Sequence, residues 1–225
     1  MKYTKYGISL ISLKEEDIEM VRQWRNDPVV VRNYEFREYI TQEMQKKWYK
    51  SINNINNLYG IIEYSGEKIG VINIKNIDWE NKTSESGIFI PDQKYHQTSL
   101  PAILTFMTTE LQFVFLNWNI GYAHVLKENK PVQSFLRSFG YELCPGEEDK
   151  INQKYFNTRD NFIKRTNKIK KAISILTNND DSSTWLLEAS EYNNEIALEW
   201  ESRILSFYKP DETEITEAGR IYYFF

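Results

Sequence analysis

The stretch from residue 76 to residue 141 constrains this chain more than any other. At its centre the apolar run Glu85-Ser-Gly-Ile-Phe-Ile90 reads as a strand and ends at the turn Pro91-Asp92. The polar segment Gln93-Lys-Tyr-His-Gln-Thr-Ser-Leu-Pro101 follows, and Ile103, Phe106, Met107, Leu111 and Val114 then recur at helical spacing. Pro101 suits a first helical turn, where its missing N–H costs nothing. A strand that stops short of a polar loop opening a long amphipathic helix is how α/β folds present backbone amides to a phosphate. A second strand at 120–126 and a second helix, from near Asn129 to Gly140, come at once. Because a helix separates the two strands, they are expected to lie parallel. Two parallel strands that diverge leave a slot for an extended ligand.

With 225 residues and 41% hydrophobic content, the chain has material for one sizeable core and an appendage. A net charge of -4 provides no global field to hold a polyanion, so no nucleic-acid partner is expected and an anionic ligand needs a local site. The single cysteine, Cys144, excludes an internal disulfide framework, and two histidines with one cysteine offer no metal-ligand cluster. No metal is expected. The first residues lack the apolar run of a signal peptide, and nothing approaches the ~18 apolar residues of a membrane span. The expectation is a reduced, cytoplasmic protein without a membrane partner.

Elsewhere, 8–13 alternates as a first strand, and Ser12 reads as the cap of a helix whose stripe is Ile18, Val21 and Trp24. Asn26-Asp-Pro28 stops that helix. Thr41 with Met44 to Trp48 predicts a second helix, while 58–64 and 68–77 predict two strands joined by the turn Ser65-Gly-Glu67. A strand is expected at 152–158. Beyond it, charges are mostly basic to Lys171 and mostly acidic over 180–217. Trp185, Ala189, Tyr192, Ile196, Trp200, Ile204 and Phe207 recur every three or four residues and predict one amphipathic helix of about six turns. Its apolar face must be buried on the main domain or on a second copy. Ile215 and 221–225 are read as a closing strand.

The segment 77–90, with Val125-Leu-Lys-Glu-Asn-Lys-Pro131 and Phe135-Leu-Arg-Ser-Phe-Gly-Tyr141, resembles the GCN5-related N-acetyltransferases. Trp24-Arg-Asn-Asp-Pro28, Arg32, Tyr39-Ile-Thr41 and the segment 45–49 resemble the branch that acetylates nucleotide-linked amino sugars, beside the ribosomal-protein acetyltransferases. The resemblance implies an α/β fold: a central mixed, mostly antiparallel sheet, a splayed parallel strand pair and helices on both faces. It covers 1–171 and leaves 172–225 as a C-terminal extension. It further implies acetyl-CoA as acyl donor and a primary amine as acceptor, that of a nucleotide-linked amino sugar first and a protein N-terminus second. The loop departs from the family pattern: where small residues are usual stand Gln97, Ser99 and Pro101, none of them glycine. Either a rebuilt loop still binds acyl-CoA, which is favoured, or the fold is inactive and binds a partner, including a second copy, through its C-terminal helix.

Within that resemblance Glu85 takes the place of the carboxylate that deprotonates the attacking ammonium, a step any amine needs at neutral pH. The plain alternative is a surface acid. Ile88, Phe89 and Ile90 act through their backbone on the thioester carbonyl. The loop Tyr95, His96, Gln97, Thr98, Ser99 and Leu100 faces the pyrophosphate, and Asn129 reaches the pantetheine or merely caps its helix. Leu136 stands where the family's proton-donating tyrosine is usual, so Tyr122 and His124, on one side of their strand, become the substitute donors. Arg25, Asn26, Arg32, Tyr34 and Phe36 are the acceptor-binding candidates, since arginine forks suit a diphosphate and aromatic faces a base or sugar.

Overall fold

The turn of the central hairpin is written in two residues. Ser65 and Gly66 adopt φ of 52° and 79°, the left-handed pair that a two-residue turn needs to follow strand twist. They join β3 (Leu58–Tyr64) to β4 (Glu67–Asp78), and β5 (Thr83–Phe89) returns antiparallel along β4. In the computed structural model, which describes residues 1–179 and 181–225, all strands belong to one sheet. The chain next forms α4 (Leu100–Glu110), which runs into a wider turn at Leu111–Phe115. It crosses to β6 (Ile120–Leu126), which lies parallel to β5 as the crossover requires. Then come α5 (Lys130–Ser138), the short β7 (Glu142–Leu143) and β8 (Asn152–Thr158), antiparallel to β6.

Before this unit the chain forms β1 (Lys2–Lys5), β2 (Ile8–Ser12), α1 (Ile18–Arg25), α2 (Pro28–Val31) and α3 (Gln42–Ile52). Thr41 caps α3 as expected, its hydroxyl accepting from the Met44 amide at 3.3 Å. Ser12 caps nothing. It ends β2, and a turn of 3-10 helix at Glu15–Asp17 precedes α1, so Ile18 and Val21 are buried from a later start than the cap reading placed. β1 went unanticipated because only Tyr3 and Lys5 mark its inner face.

After β8 the chain forms α6 (Arg159–Thr177), β9 (Ser183–Glu188), α7 (Glu195–Phe207), β10 (Glu212–Thr216) and β11 (Gly219–Phe224). The six-turn helix is therefore corrected to a strand, a turn and a shorter helix. Ser183, Trp185 and Leu187 are buried alternately, and a period of two wins where backbone partners exist on both sides, β1 and β11. Asn194 starts α7 by accepting from the amides of Ile196 and Ala197. The expected boundary at 171/172 falls inside α6, and the strands that follow extend the same sheet in the order β10-β11-β9-β1-β2-β3-β4-β5-β6-β8-β7.

The main core lies between the sheet and α4, α6 and α7, with Ile72, Ile74, Leu104, Phe106, Phe113 and Trp118 at its centre. Each such side chain is worth about 1.5–3 kcal/mol on transfer from water. The stripe of α7 is spent on this core: Ala197, Trp200 and Ile204 are buried, and Trp200 and Trp118 pack on Trp79 at 5.4 and 5.0 Å. A smaller cluster, Leu13, Val21, Ile61 and Val71, fills the opposite face beneath α1 and α3. One knot of charge joins distant segments. Lys5, only 3% exposed, lies 2.7 Å from both Glu110 of α4 and Asp181 ahead of β9, and Asp181 also meets Tyr6 and Lys170 of α6. No described helix is long and apolar enough to cross a membrane, and no described cluster of three metal-ligating side chains occurs.

Candidate active site

β5 and β6 pair only where Thr83 faces Ile120, Ser84 faces Gly121 and Glu85 faces Tyr122. Beyond that point β5 runs on to Phe89 along β4, and β6 runs on to Leu126 along β8, so the two part company. The amides and carbonyls of the β5 edge past Glu85 are left facing the gap. Side-chain alternation then sorts residues onto two faces. Ser84, Ser86 and Ile88 look toward α4. Glu85, Gly87 and Phe89 look toward α1–α3, in register with Lys75, Asn73 and Val71 of β4. Tyr122 and His124 of β6 share that second face.

Glu85 is the hub of this face. Its Oε1 lies 2.7 Å from Lys75 Nζ and 3.1 Å from His124 Nδ1, and its Oε2 accepts from the Asn76 side chain at 3.3 Å. Burial pushes the carboxyl up, but hydrogen bonds from His124 and Lys75, with their charge, outweigh it and hold Glu85 down at about 2. A carboxylate so held stays ionised at neutral pH and is a weak proton acceptor, which bears directly on the base role expected for it. Beside it, Lys154, opposite His124 on β8, places Nζ 3.9 Å from the centre of the Tyr122 ring. Gly87 matters for what it lacks: a Cβ there would stand 3.3 Å from the Asn73 side chain, whose buried Oδ1 has no partner among the described residues.

Arg25 forms the second centre. Its guanidinium lies 4.6 Å over the Trp48 ring and Nη1 donates to Gln45 Oε1 at 2.8 Å. Burial pulls its pKa down, and Tyr34 and Tyr59 oppose this. Among the described residues it makes no ion pair. Trp48 packs edge-on against Tyr59 at 5.3 Å and Tyr34 against Phe89 at 6.3 Å, which brings the Arg25 site to the end of β5. Of the other acceptor candidates, Asn26 is consumed in holding Ile40 through both its side-chain atoms, while Arg32 and Phe36 stay on the surface.

The loop before α4 is fixed from within. Asp92 caps a 3-10 turn at Gln93–Tyr95, His96 Nε2 meets the Ile90 carbonyl at 2.7 Å, and Tyr95 reaches Glu67 at 3.3 Å. The Thr98 hydroxyl donates to the Tyr95 carbonyl and accepts from the Leu100 amide, so it organises the loop instead of projecting from it. The amides of Gln97 and Ser99 keep no acceptor among the described residues, which leaves two donors at the mouth of the α4 dipole. Pro101 supplies none. Asn129 is a true cap, accepting from the Val132 amide at 3.3 Å, and its Nδ2 donates to Asn33 at 3.0 Å. Arg37–Glu128 at 2.9 Å makes the same connection, and Glu35 accepts from Asn152 of β8 at 3.3 Å, so the segment after α2 straps across the starts of α5 and β8. Leu136 is core.

The sequence singles out Glu85, Tyr122, His124, Arg25 and Tyr34 separately, and the structure brings them to one face together with Lys75, Gln45, Trp48, Tyr59 and Asn73, which the sequence reading missed. A signal for the β4 pair was present: Asn73 and Lys75 are the two polar residues of the run 69–75 and stand two apart, hence on one face.

The fold is that of known acetyltransferases. The spermidine N-acetyltransferase of Vibrio cholerae, solved with CoA and spermine, superposes with a TM-score of 0.61 at 18% identity, covering 71% of this chain and 99% of that one. A dodecameric form of the Vibrio cholerae enzyme gives 0.58 at 16% identity over 72% and 99%. A domain from Methanocaldococcus jannaschii gives 0.57 at 18% identity over 67% and 97%. No curated protein matches by sequence. The family profile described as an acetyltransferase (GNAT) domain matches residues 10–159, two-thirds of the chain, so the protein with this splayed strand pair belongs to the GNAT family of acetyltransferases.

Proposed function

We propose that the protein is an acetyl-CoA-dependent N-acetyltransferase that acylates a primary amine by direct attack, and that the amine is carried on an anionic molecule, a nucleotide-linked amino sugar being the class that fits. The observation that carries the acceptor class is Arg25. A half-buried guanidinium without a carboxylate partner among the described residues, framed by Trp48, Tyr59 and Tyr34, is the arrangement that receives a phosphate or carboxylate and an aromatic or sugar face. A polycation such as spermine, bound in the Vibrio cholerae enzyme, finds a repelling charge there. Acetyl-CoA suits the rest. The unpaired β5 edge past Glu85 offers an extended pantetheine arm the backbone bonds of an added strand, and the free amides of Gln97 and Ser99 meet the pyrophosphate. When bound, acetyl-CoA supplies the thioester carbonyl, and the β5 backbone at Ile88–Ile90 is the nearest donor row.

The test has two stages. Calorimetric titration with acetyl-CoA, beside desulfo-CoA, reads whether a glycine-free loop still holds the donor; micromolar binding is expected. Thiol release is then compared for a uridine diphosphate amino sugar, an N-terminal peptide amine and spermidine. Faster turnover of the nucleotide sugar supports the acceptor class, and preference for spermidine overturns it. No binding at millimolar acetyl-CoA favours the second reading, an inactive fold with a partner-binding role, whose motivation is the residues Gln97, Ser99 and Pro101 in the loop.

A further inference from the structure

We propose that His124 is the proton acceptor for the incoming amine and that Glu85 is its positioning residue, a histidine–carboxylate pair built across the point where β5 and β6 separate. This rests on the acetyltransferase reading above.

Three observations carry it. First, Glu85 is already engaged by its own neighbours: Lys75 and His124 lie against Oε1 and Asn76 donates to Oε2, and the cation of Lys75 holds the carboxylate as an anion that orients its partners. Second, His124 turns Nδ1 to that carboxylate at 3.1 Å, a contact that favours the tautomer protonated at Nδ1, and Nε2 has no protein partner among the described residues. The same division of labour, a carboxylate that orients and an imidazole that takes the proton, recurs on unrelated folds. Third, His124 lies two residues past Tyr122, the last residue of β6 that pairs with β5, so it stands in the opened part of the pair, on the face that also holds Arg25. The charged groups around it are Glu85 from β5, Lys75 from β4, Lys154 from β8 with Glu147 ahead of it, and the phenol of Tyr122.

In the step proposed, the acceptor ammonium passes one proton to Nε2, giving the imidazolium, which Glu85 stabilises through Nδ1–H. The freed nitrogen lone pair attacks the thioester carbonyl carbon. The C–N bond forms, the C–S bond breaks and the sulfur leaves as thiolate. The thiolate takes the proton back from Nε2, and the second proton of the amine passes to water. No other reactant is needed.

The test uses the full chain. Only two histidines are present, so long-range proton–nitrogen spectra of the ring, with His96→Gln for assignment, resolve the His124 tautomer directly. The protonated-Nδ1 form is expected in the wild type and a mixture in Glu85→Gln. With the best acceptor from the panel above, His124→Ala should cut kcat/KM about 100-fold, the lower range for a general base, and erase the rising limb of the pH profile while acetyl-CoA affinity holds. Glu85→Gln should cut it less and move that limb to lower pH, since the imidazolium loses its counter-charge. A His124→Ala enzyme that keeps rate and limb overturns the proposal, as does Glu85→Gln abolishing turnover with the limb unmoved. Failure of the wild type to bind acetyl-CoA is a different result: it removes the acetyltransferase reading itself, before any variant is compared.

Discussion

His124 Nδ1 stands 3.1 Å from Glu85 Oε1, and the two side chains come from neighbouring parallel strands that stop pairing at that level. The relation is geometric before it is chemical. Three residues of parallel register fix both backbones, and the parting of the strands then leaves one edge of the imidazole open.

The carboxyl of Glu85, held at about 2 against an ordinary 4.5, makes stability pH-dependent. A carboxyl depressed in the folded state stabilises above its unfolded value, and the contribution is lost as pH falls through the folded one. Melting temperature should therefore decline between roughly pH 4.5 and pH 2, and Glu85→Gln should flatten that decline. Melts at pH 6, 4 and 3 of both proteins decide it; parallel curves would show that Lys75 and His124 do not hold the charge.

Arg25→Gln keeps a hydrogen-bonding side chain beside Gln45 and removes the charge. The KM for an anionic acceptor should rise about 10- to 100-fold, the cost of 1.5–3 kcal/mol for a lost charged hydrogen bond, with acetyl-CoA affinity intact. Steady-state kinetics with the nucleotide sugar and titration with acetyl-CoA separate the two. An unchanged KM places the acceptor's anion elsewhere.

Lys5→Met strips the cation from the buried knot and leaves Glu110 and Asp181 facing each other through a methionine. Removing one partner of a buried pair costs about 3–5 kcal/mol. For a chain of this size that is a fall of roughly 10 °C in melting temperature by scanning calorimetry. A fall under 2 °C would mean that water already reaches the cluster.

Deleting residues 172–225 should yield an aggregating protein. It cuts α6 before its end, uncovers one edge of β1 and leaves Trp79 and Trp118 without Trp200. Size-exclusion chromatography of the truncated chain checks this, and a monodisperse product that still binds acetyl-CoA would make the extension dispensable.

Much of the middle of the fold was legible because local chemistry and tertiary context agree there. Ser65-Gly66 dictates its turn, and Thr41 and Asn129 are caps by residue type. Agreement fails toward the end of the chain. Trp185, Ala189 and Tyr192 fit a helical period, yet the strand forms because β1 and β11 supply backbone partners that no local pattern reveals. The long α6 was missed because its exposed lysines hide a thin buried stripe, Phe162, Thr166 and Ile173. In the site, residue type pointed to Glu85, His124 and Arg25 one by one. Lys75 and Gln45 decide what those groups do, and they are partners set by strand register and helix packing. Asn129 shows the reverse case: its residue type announced a cap, and the cap is what its Oδ1 makes.

The pairing of Lys2 with Leu186 and of Tyr3 with Trp185 has a consequence for how the protein is made. The strand that completes the hydrogen bonding of β1 emerges from the ribosome some 180 residues after it, at synthesis rates of about 5–20 residues per second. For those seconds one side of β1 stays open while the strands from β2 to β8 assemble beside it. The last quarter of the chain is thus a closing step in folding, and the interval before it is when a nascent chain of this protein is most exposed to pairing with a neighbour.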